Sequence, residues 1–300
     1  MLPVLGALLF ACLCPFSWAE EALTVRYVDV PDEELPLGDP TSALWAGLPA
    51  YKATLLPQNL TYPVLETPSV ASVEVKAMHN SFWVAFLLEW PDPTKDANVD
   101  VDRFTDAVAI QFPVNPEELP FYTMGNVGAR VHIIHWKALW QKDIEEGFQD
   151  VQDLHPNYWV DLYFFAEAGL PVFAEGEFPQ HPAARSFRSP EALAQLPGAY
   201  VQNPMSVLER KVPVEEAMAE GFGTLTSQPK QNAVGRGVWQ EGRWRVVIAR
   251  PMVTDDELDA ELSPGLDSLV AFAVWNGSEK NVGARKHYAI WIKLHLERKE

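Results

Sequence analysis

Met124 stands in a glycine-punctuated stretch, Pro120-Phe121-Tyr122-Thr123-Met124-Gly125-Asn126-Val127-Gly128, that leads into the apolar run Val131–Trp136. A thioether carried on a loop, away from any helix face, is a soft and polarizable ligand of the kind a haem iron accepts. A lone methionine more often fills a gap in a core, and the residues alone leave both roles open. His132 and His135 are three apart, so a strand sends them to opposite faces. They cannot share one metal without a bulge, and each serves equally as a hydrogen-bonded or surface histidine. Carboxylates are numerous, but an acidic chain offers close pairs by chance. There is no glycine-rich phosphate loop, no GxSxG elbow and no HExxH. The residues point to a protein that is not itself an enzyme.

The elements that must position Met124 follow from composition and pattern. The chain has 300 residues, 48% of them apolar, with 11 Trp and 15 Phe, enough to bury a sizeable core. Its net charge of −18 argues against nucleic acid, since phosphate contacts need Lys and Arg. An acidic surface suits docking to a basic partner. Residues 1–19 read as a secretory leader: Leu2–Phe16 is apolar and uncharged, and Ser17-Trp18-Ala19 puts small residues at −3 and −1. Cleavage after Ala19 is expected, giving a mature start at Glu20 and a periplasmic protein. No later segment is long and apolar enough to span a membrane. Both cysteines, Cys12 and Cys14, lie in the leader. The mature chain then has no disulfide, no Cys-ligated zinc or iron–sulfur cluster and no covalently attached haem.

The pattern reads as strands at short spacing. They are Ala22–Val28, Val70–Ala77, Phe82–Trp90, Ala107–Phe112, Val131–Trp136 and Ser268–Trp275. Gly237–Gln240 and Arg243–Ala249 flank Glu241-Gly242 as a hairpin. Lys137–Gly147 reads as a short amphipathic helix, and Val214–Ala219 as a second helix stopped by Gly221. Lys286–Leu296 reads as one last strand, with Tyr288, Ile290, Ile292 and Leu294 on one face. The expected fold is mainly β: an antiparallel β-sandwich over residues 20–300, with a few short helices. Residues 142–205 form an irregular insertion lying over its core.

Several ordered stretches carry a family resemblance. They are Trp45-Ala46-Gly47-Leu48-Pro49-Ala50, Val75-Lys76-Ala77-Met78-His79-Asn80, Leu88-Glu89-Trp90-Pro91-Asp92-Pro93-Thr94 and Phe104–Pro113. Met124-Gly125, Gly221–Thr226, Gly235–Trp239, Val270–Gly277 and Arg285-Lys286 continue the series. Together they resemble the haem b-binding γ subunits of type II dimethyl-sulfoxide-reductase-family molybdoenzymes, the ethylbenzene, dimethylsulfide, selenate and chlorate enzymes among them. Residues 142–205 depart from that pattern as an enlargement.

The resemblance implies a sandwich holding one non-covalent haem b through Met124 and Lys286. His287 is the runner-up for the second ligand, because a register slip of one would exchange the two residues. Read from the residues alone, Lys286 is an exposed cation at a strand end, and Met78 packs. A lysine binds iron only as the neutral amine, which burial and the charge of the iron both favour. Two protein ligands leave no open position, which suits electron transfer. The resemblance also implies a complex with a molybdopterin-containing catalytic subunit and an iron–sulfur subunit. The haem would pass electrons to or from a soluble carrier such as a cytochrome. Two rivals stand beside this reading. One is a carbohydrate-binding β-sandwich module using aromatics such as Trp45, Trp83, Trp136, Trp140 and Trp159, with Trp83 and Trp136 better placed in the core. The other is a scaffold subunit without haem.

Overall fold

The computed structural model describes residues 22–147 and 210–299, together with residues 198, 201, 203, 206 and 207. Among these residues, fourteen strands carry the fold. In chain order they are β1 (Leu23–Tyr27), β2 (Tyr51–Thr54), β3 (Leu56–Pro57), β4 (Ser72–His79), β5 (Trp83–Pro91), β6 (Ala107–Pro113) and β7 (Val131–Lys137). They continue as β8 (Val214–Ala219), β9 (Thr226–Ser227), β10 (Val234–Gln240), β11 (Arg243–Pro251), β12 (Asp267–Trp275), β13 (His287–Tyr288) and β14 (Ile292–Leu296). One α-helix, α1 (Ala138–Glu146), follows β7. It lies where the sequence pattern placed it, and the remainder of the expected 142–205 insertion falls largely outside the described residues.

The pairing path runs β10-β11-β5-β4-β1-β14-β12-β6-β7-β8-β9. Most pairs are antiparallel, but β1 lies parallel to both β4 and β14 and so joins the two halves. The halves face each other across one apolar core, as a β-sandwich. Inward residues of β4, β5 and β11 (Val75, Phe86, Leu88, Trp244, Val246) meet those of β6, β7 and β12 (Ile110, Phe112, Trp136, Phe272). Phe86 and Phe112 meet with ring centroids 5.8 Å apart, and Trp136 meets Trp244 edge-on at 4.9 Å. Aromatic pairs at such spacings add about 0.5–1.5 kcal/mol each beyond their burial. Val73 and Val75 turn inward from β4 and Glu74 outward, as the alternation requires.

Two elements differ from the sequence reading. Val214–Ala219 is a strand, not a helix: it pairs with β7 from Val131↔Ala219 to Trp136↔Val214. Glu215, Glu216, Ala217 and Met218 have good helix propensity, but tertiary partners override so weak a preference. Glu216 is buried with its Oε2 accepting from the backbone N–H groups of Asn232 and Ala233 and its Oε1 3.5 Å from His132 Nε2.

The last strand is also not continuous. Ile292 opposes Val270 and Tyr288 opposes Ala273. The chain therefore takes four steps from Tyr288 to Ile292 while β12 takes three. One extra residue makes a β-bulge, and a one-residue slip exchanges the faces. Ile292 and Leu294 face the inner core with Ala289, whereas Ile290 is 52% exposed. Lys286 and Tyr288 are turned to the outer face.

Candidate functional site

The outer face of the β12-β6-β7 half carries a hollow, and the sequence explains why. Outward positions of the two central strands are Ala107 and Ala109 on β6 and Ala271 and Ala273 on β12, paired as Ala109↔Ala273 and Ala107↔Trp275. Along one row across the sheet the outward residues are Tyr288, Ala273, Ala109, His135 and Glu215. Two methyl groups stand between large side chains, and the floor is low there. Two apolar cavities sit over it, of about 60 Å³ and about 500 Å³, with Trp275 lining both.

Met124 and Lys286 meet at the first cavity. Lys286 Nζ donates to Met124 Sδ at 3.5 Å, although 162 residues separate them. Met124 comes from the β6–β7 loop with φ 73°, in the left-handed region that side chains rarely occupy. Gly125 follows at φ 77°, and a Cβ on it would lie 2.8 Å from Ala129 O and 3.0 Å from Ala219 O. Only glycine fits. The loop is tied down by Gly221 N to Met124 O at 2.7 Å, Gln111 Nε2 to Tyr122 O at 3.0 Å and Trp291 Nε1 to Pro120 O at 2.7 Å. Gly125 thus seats the loop against the end of β8; its freedom is used there, behind Met124.

Lys286 precedes β13, and Gln58 fixes that segment: its N–H donates to Lys286 O at 2.9 Å and its Nε2 to Ala284 O at 3.0 Å. The lysine is partly buried, and among the described residues its amine has no carboxylate partner. Its Nζ lies 5.2 Å from the ring centroid of Trp275. Desolvation lowers its pKa to about 8, so the neutral amine is accessible near physiological pH.

His287 lies on the other face and is fully buried. Its Nε2 accepts from Ser69 N at 2.9 Å and Val70 N at 3.2 Å, and Nδ1–H donates to Val274 O at 3.3 Å. Both nitrogens are committed to the backbone, away from Met124. His132 and His135 also part, as expected. His132 turns inward toward Glu216, Asp259 and Arg250. His135 turns outward onto Trp275, with ring centroids 4.6 Å apart, and lines the second cavity. Burial, then the charges of Lys137 and Lys286, push the pKa of His135 well down, so it is a neutral imidazole.

Sequence reasoning passed over Gln58 and the alanine floor, and weighed His135 without assigning it to this site. The alternation Val270-Ala271-Phe272-Ala273-Val274 was the available signal: large residues on one face and methyl groups on the other mark a sheet packed on one side and hollow on the other. Met78 packs as expected, fully buried against Leu35 and Trp45. The aromatics considered for sugar binding offer no open platform: Trp45, Trp136 and Trp140 are buried and Trp83 packs partly buried at the outer cluster of β5. Trp159 lies outside the described residues. The donor set, one thioether and one desolvated amine in an apolar hollow, fits an iron porphyrin and offers little to a hydrated metal ion.

Residues 42–287 match the ethylbenzene dehydrogenase family. A protein of Haloferax mediterranei, provisionally named a respiratory nitrate reductase heme subunit, is 23% identical over 84% of this chain and 66% of its own. The chlorate reductase γ subunit of Ideonella dechloratans is 21% identical over 86% of this chain and 79% of its own. The chain thus spans just under two thirds of the first relative's length. Among solved structures, a family 9 carbohydrate-binding module from Caldicellulosiruptor kristjanssonii aligns over 93% of this chain and 95% of that one. It does so at 8% identity and a TM-score of 0.39, a distance at which the likeness bears on no argument. The chain belongs to the ethylbenzene dehydrogenase family.

Proposed function

We propose that this chain is an electron-transfer subunit that holds one non-covalent haem b between Met124 and Lys286. The observation that carries the reading is the 3.5 Å contact between Lys286 Nζ and Met124 Sδ at the edge of an apolar hollow. A lysine facing a thioether, without a carboxylate, is a poor structural contact and a good pair of ligands. Both side chains are unbranched and carried on loops, so the contact can open without moving the sheets. The iron porphyrin would supply one-electron chemistry, and the chain supplies what tunes it. Thioether ligation favours ferrous iron and raises the potential, and two protein ligands keep substrate and oxygen off the metal. The relatives named as a nitrate reductase heme subunit and a chlorate reductase γ subunit support a place in a larger molybdoenzyme complex, beside a molybdopterin-containing and an iron–sulfur subunit. Leu60, Phe222, Leu225 and Val282 line the cavities and are exposed, an apolar rim suited to such a partner. The chain would exchange electrons between the iron–sulfur subunit and a soluble carrier in the periplasm, after export on residues 1–19. No described helix is long and apolar enough to cross a membrane.

A visible absorption spectrum of the purified protein tests this. Expected are the Soret and split α/β bands of a low-spin six-coordinate haem b, extractable into acidified organic solvent. A protein that stays colourless after incubation with haemin would overturn the reading.

A further inference from the structure

Away from the Met124–Lys286 pair, three aspartates converge where the end of β5, the segment 92–106 and the turn after β12 meet. One carboxylate oxygen from each of Asp92, Asp96 and Asp106 lies within 4.8 Å of the others. Asp92 and Asp106 are fully buried and Asp96 partly so. Asp106 is held rigidly: its Oδ2 accepts from Asp96 N at 2.7 Å and Trp244 Nε1 at 2.9 Å, and its Oδ1 from Gly277 N at 2.8 Å. Asp92 is held by Gly242 O, which accepts its N–H at 2.8 Å, and its Oδ1 accepts from Thr94 N at 3.3 Å. Among the described residues its Oδ2 makes no hydrogen bond of ordinary geometry, in a side chain with no exposed surface; the Trp90 indole N–H is the donor beside Asp92 and is itself without a well-formed bond.

We propose that Asp92, Asp96 and Asp106 form a binding site for a hard divalent cation of the Ca²⁺ class. Burying like charges together is costly unless something of opposite sign lies between them. Here the charged neighbour of Asp92 is Asp96 and that of Asp106 is Asp92. All the donors are oxygen, which selects against soft metals. Oxygens that all lie within 4.8 Å of one another are near enough for one Ca²⁺ to be reached from each at roughly 2.3–2.6 Å. The segment that the cation would brace also supplies Val99, Phe104 and Thr105 to the wall of the second cavity. The site stands on its own residues and does not depend on the haem reading.

Terbium is the direct probe, because Trp244 donates its indole N–H to Asp106 and can sensitise a lanthanide bound beside it. The full chain, treated with a chelator, is titrated with Tb³⁺ under tryptophan excitation and then with Ca²⁺. Expected is sensitised emission that Ca²⁺ displaces, weakened roughly tenfold or more in Asp92→Asn and Asp96→Asn. Ca²⁺ should also raise the melting temperature of the parent chain and leave both variants unmoved. Asp96 is partly exposed, so its variant folds whatever becomes of Asp92→Asn. Absence of emission overturns the proposal. So does emission unchanged in both variants, which would place the ion elsewhere on the acidic surface, or a melting temperature indifferent to Ca²⁺ and chelator.

Discussion

The amine of Lys286 rests 3.5 Å from the sulfur of Met124, while the adjacent His287 is turned to the opposite face with both ring nitrogens bonded to backbone. That relationship separates three substitutions. Met124→Ala should lose the sulfur ligand and either lower the haem potential or lose haem. Lys286→Ala should abolish the low-spin spectrum or leave a five-coordinate form. His287→Ala should leave the low-spin bands unchanged but destabilise the fold by about 1–3 kcal/mol, because Ser69 N, Val70 N and Val274 O lose their partner in a buried site. Absorption spectra and urea midpoints measured together check this. A spectrum lost in His287→Ala and retained in Lys286→Ala would reverse the ligand assignment.

The depressed pKa of Lys286 gives a pH dependence whose sign is fixed. Desolvation lowers the folded-state value to about 8, below that of the unfolded chain. Below pH 8 both states hold the proton, and the folded state bears the cost of a desolvated charge. Between pH 8 and about 10.4 the unfolded chain binds more protons, so stability rises with pH in that window. Urea midpoints of the haem-free chain should therefore gain between pH 7.5 and 9.5 relative to Lys286→Met. Haem affinity should climb in the same direction as the neutral amine becomes available. Parallel pH profiles for the parent chain and Lys286→Met would remove the basis of this prediction.

Much of this arrangement could be read from the sequence, for reasons that differ element by element. The strands β4–β7 and β10–β12 announce themselves in two ways: β4 alternates because one face lies in the core, whereas β5 and β6 are buried on both faces and read as unbroken apolar runs. Met124 and Lys286 came from ordered family stretches, since no local pattern can say that residues 162 apart will touch. The strand Val214–Ala219 was misread because its local propensity is helical and the residues that override it, such as His132, lie elsewhere in the chain. The bulge between Tyr288 and Ile292 was invisible because an unbroken alternation of apolar residues reads as an unbroken strand. The aspartate cluster was passed over because burial, which turns a common residue type into a site, is a property of the fold.

Gly125 is the residue that most tightly constrains the Met124 loop. Its φ of 77° is strained for any other residue, and an added Cβ would press on two backbone oxygens at 2.8 and 3.0 Å. Gly125→Ala should cost on the order of 2–3 kcal/mol, from the left-handed conformation and the clash together. Because neither Ala129 O nor Ala219 O can move freely, the loop must shift, and Met124 with it. Denaturation midpoints and haem dissociation rates check this, with both expected to worsen. Gly128→Ala is the control: its φ is 82°, but no atom lies within 4 Å of its added Cβ. It should cost about 1 kcal/mol or less and leave haem retention unchanged.

The alanine floor allows a test of the hollow that leaves both proposed ligands in place. Ala109 is the centre of the row Tyr288, Ala273, Ala109, His135, paired on one side with Ala273 and on the other with His135. Its methyl group faces the first cavity, and its backbone is in a fully paired central strand. Ala109 is buried beside Trp275 and Met124 at the floor of that cavity, so the three carbons that Ala109→Leu adds crowd the outer cluster and the cavity, not the inner core that Ile110→Phe would overpack. The expected outcome is an unchanged far-UV circular dichroism spectrum and a stability loss of about 1–3 kcal/mol by urea midpoint, with haem uptake reduced at least several-fold. Ala109→Ser, which adds one atom, should retain uptake. If Ala109→Leu binds haem as the parent does, the porphyrin does not lie over β6 and the hollow is not its site. If it fails to fold, Ala273→Leu on the neighbouring strand asks the same question, since Ala273 is partly exposed and tolerates added bulk.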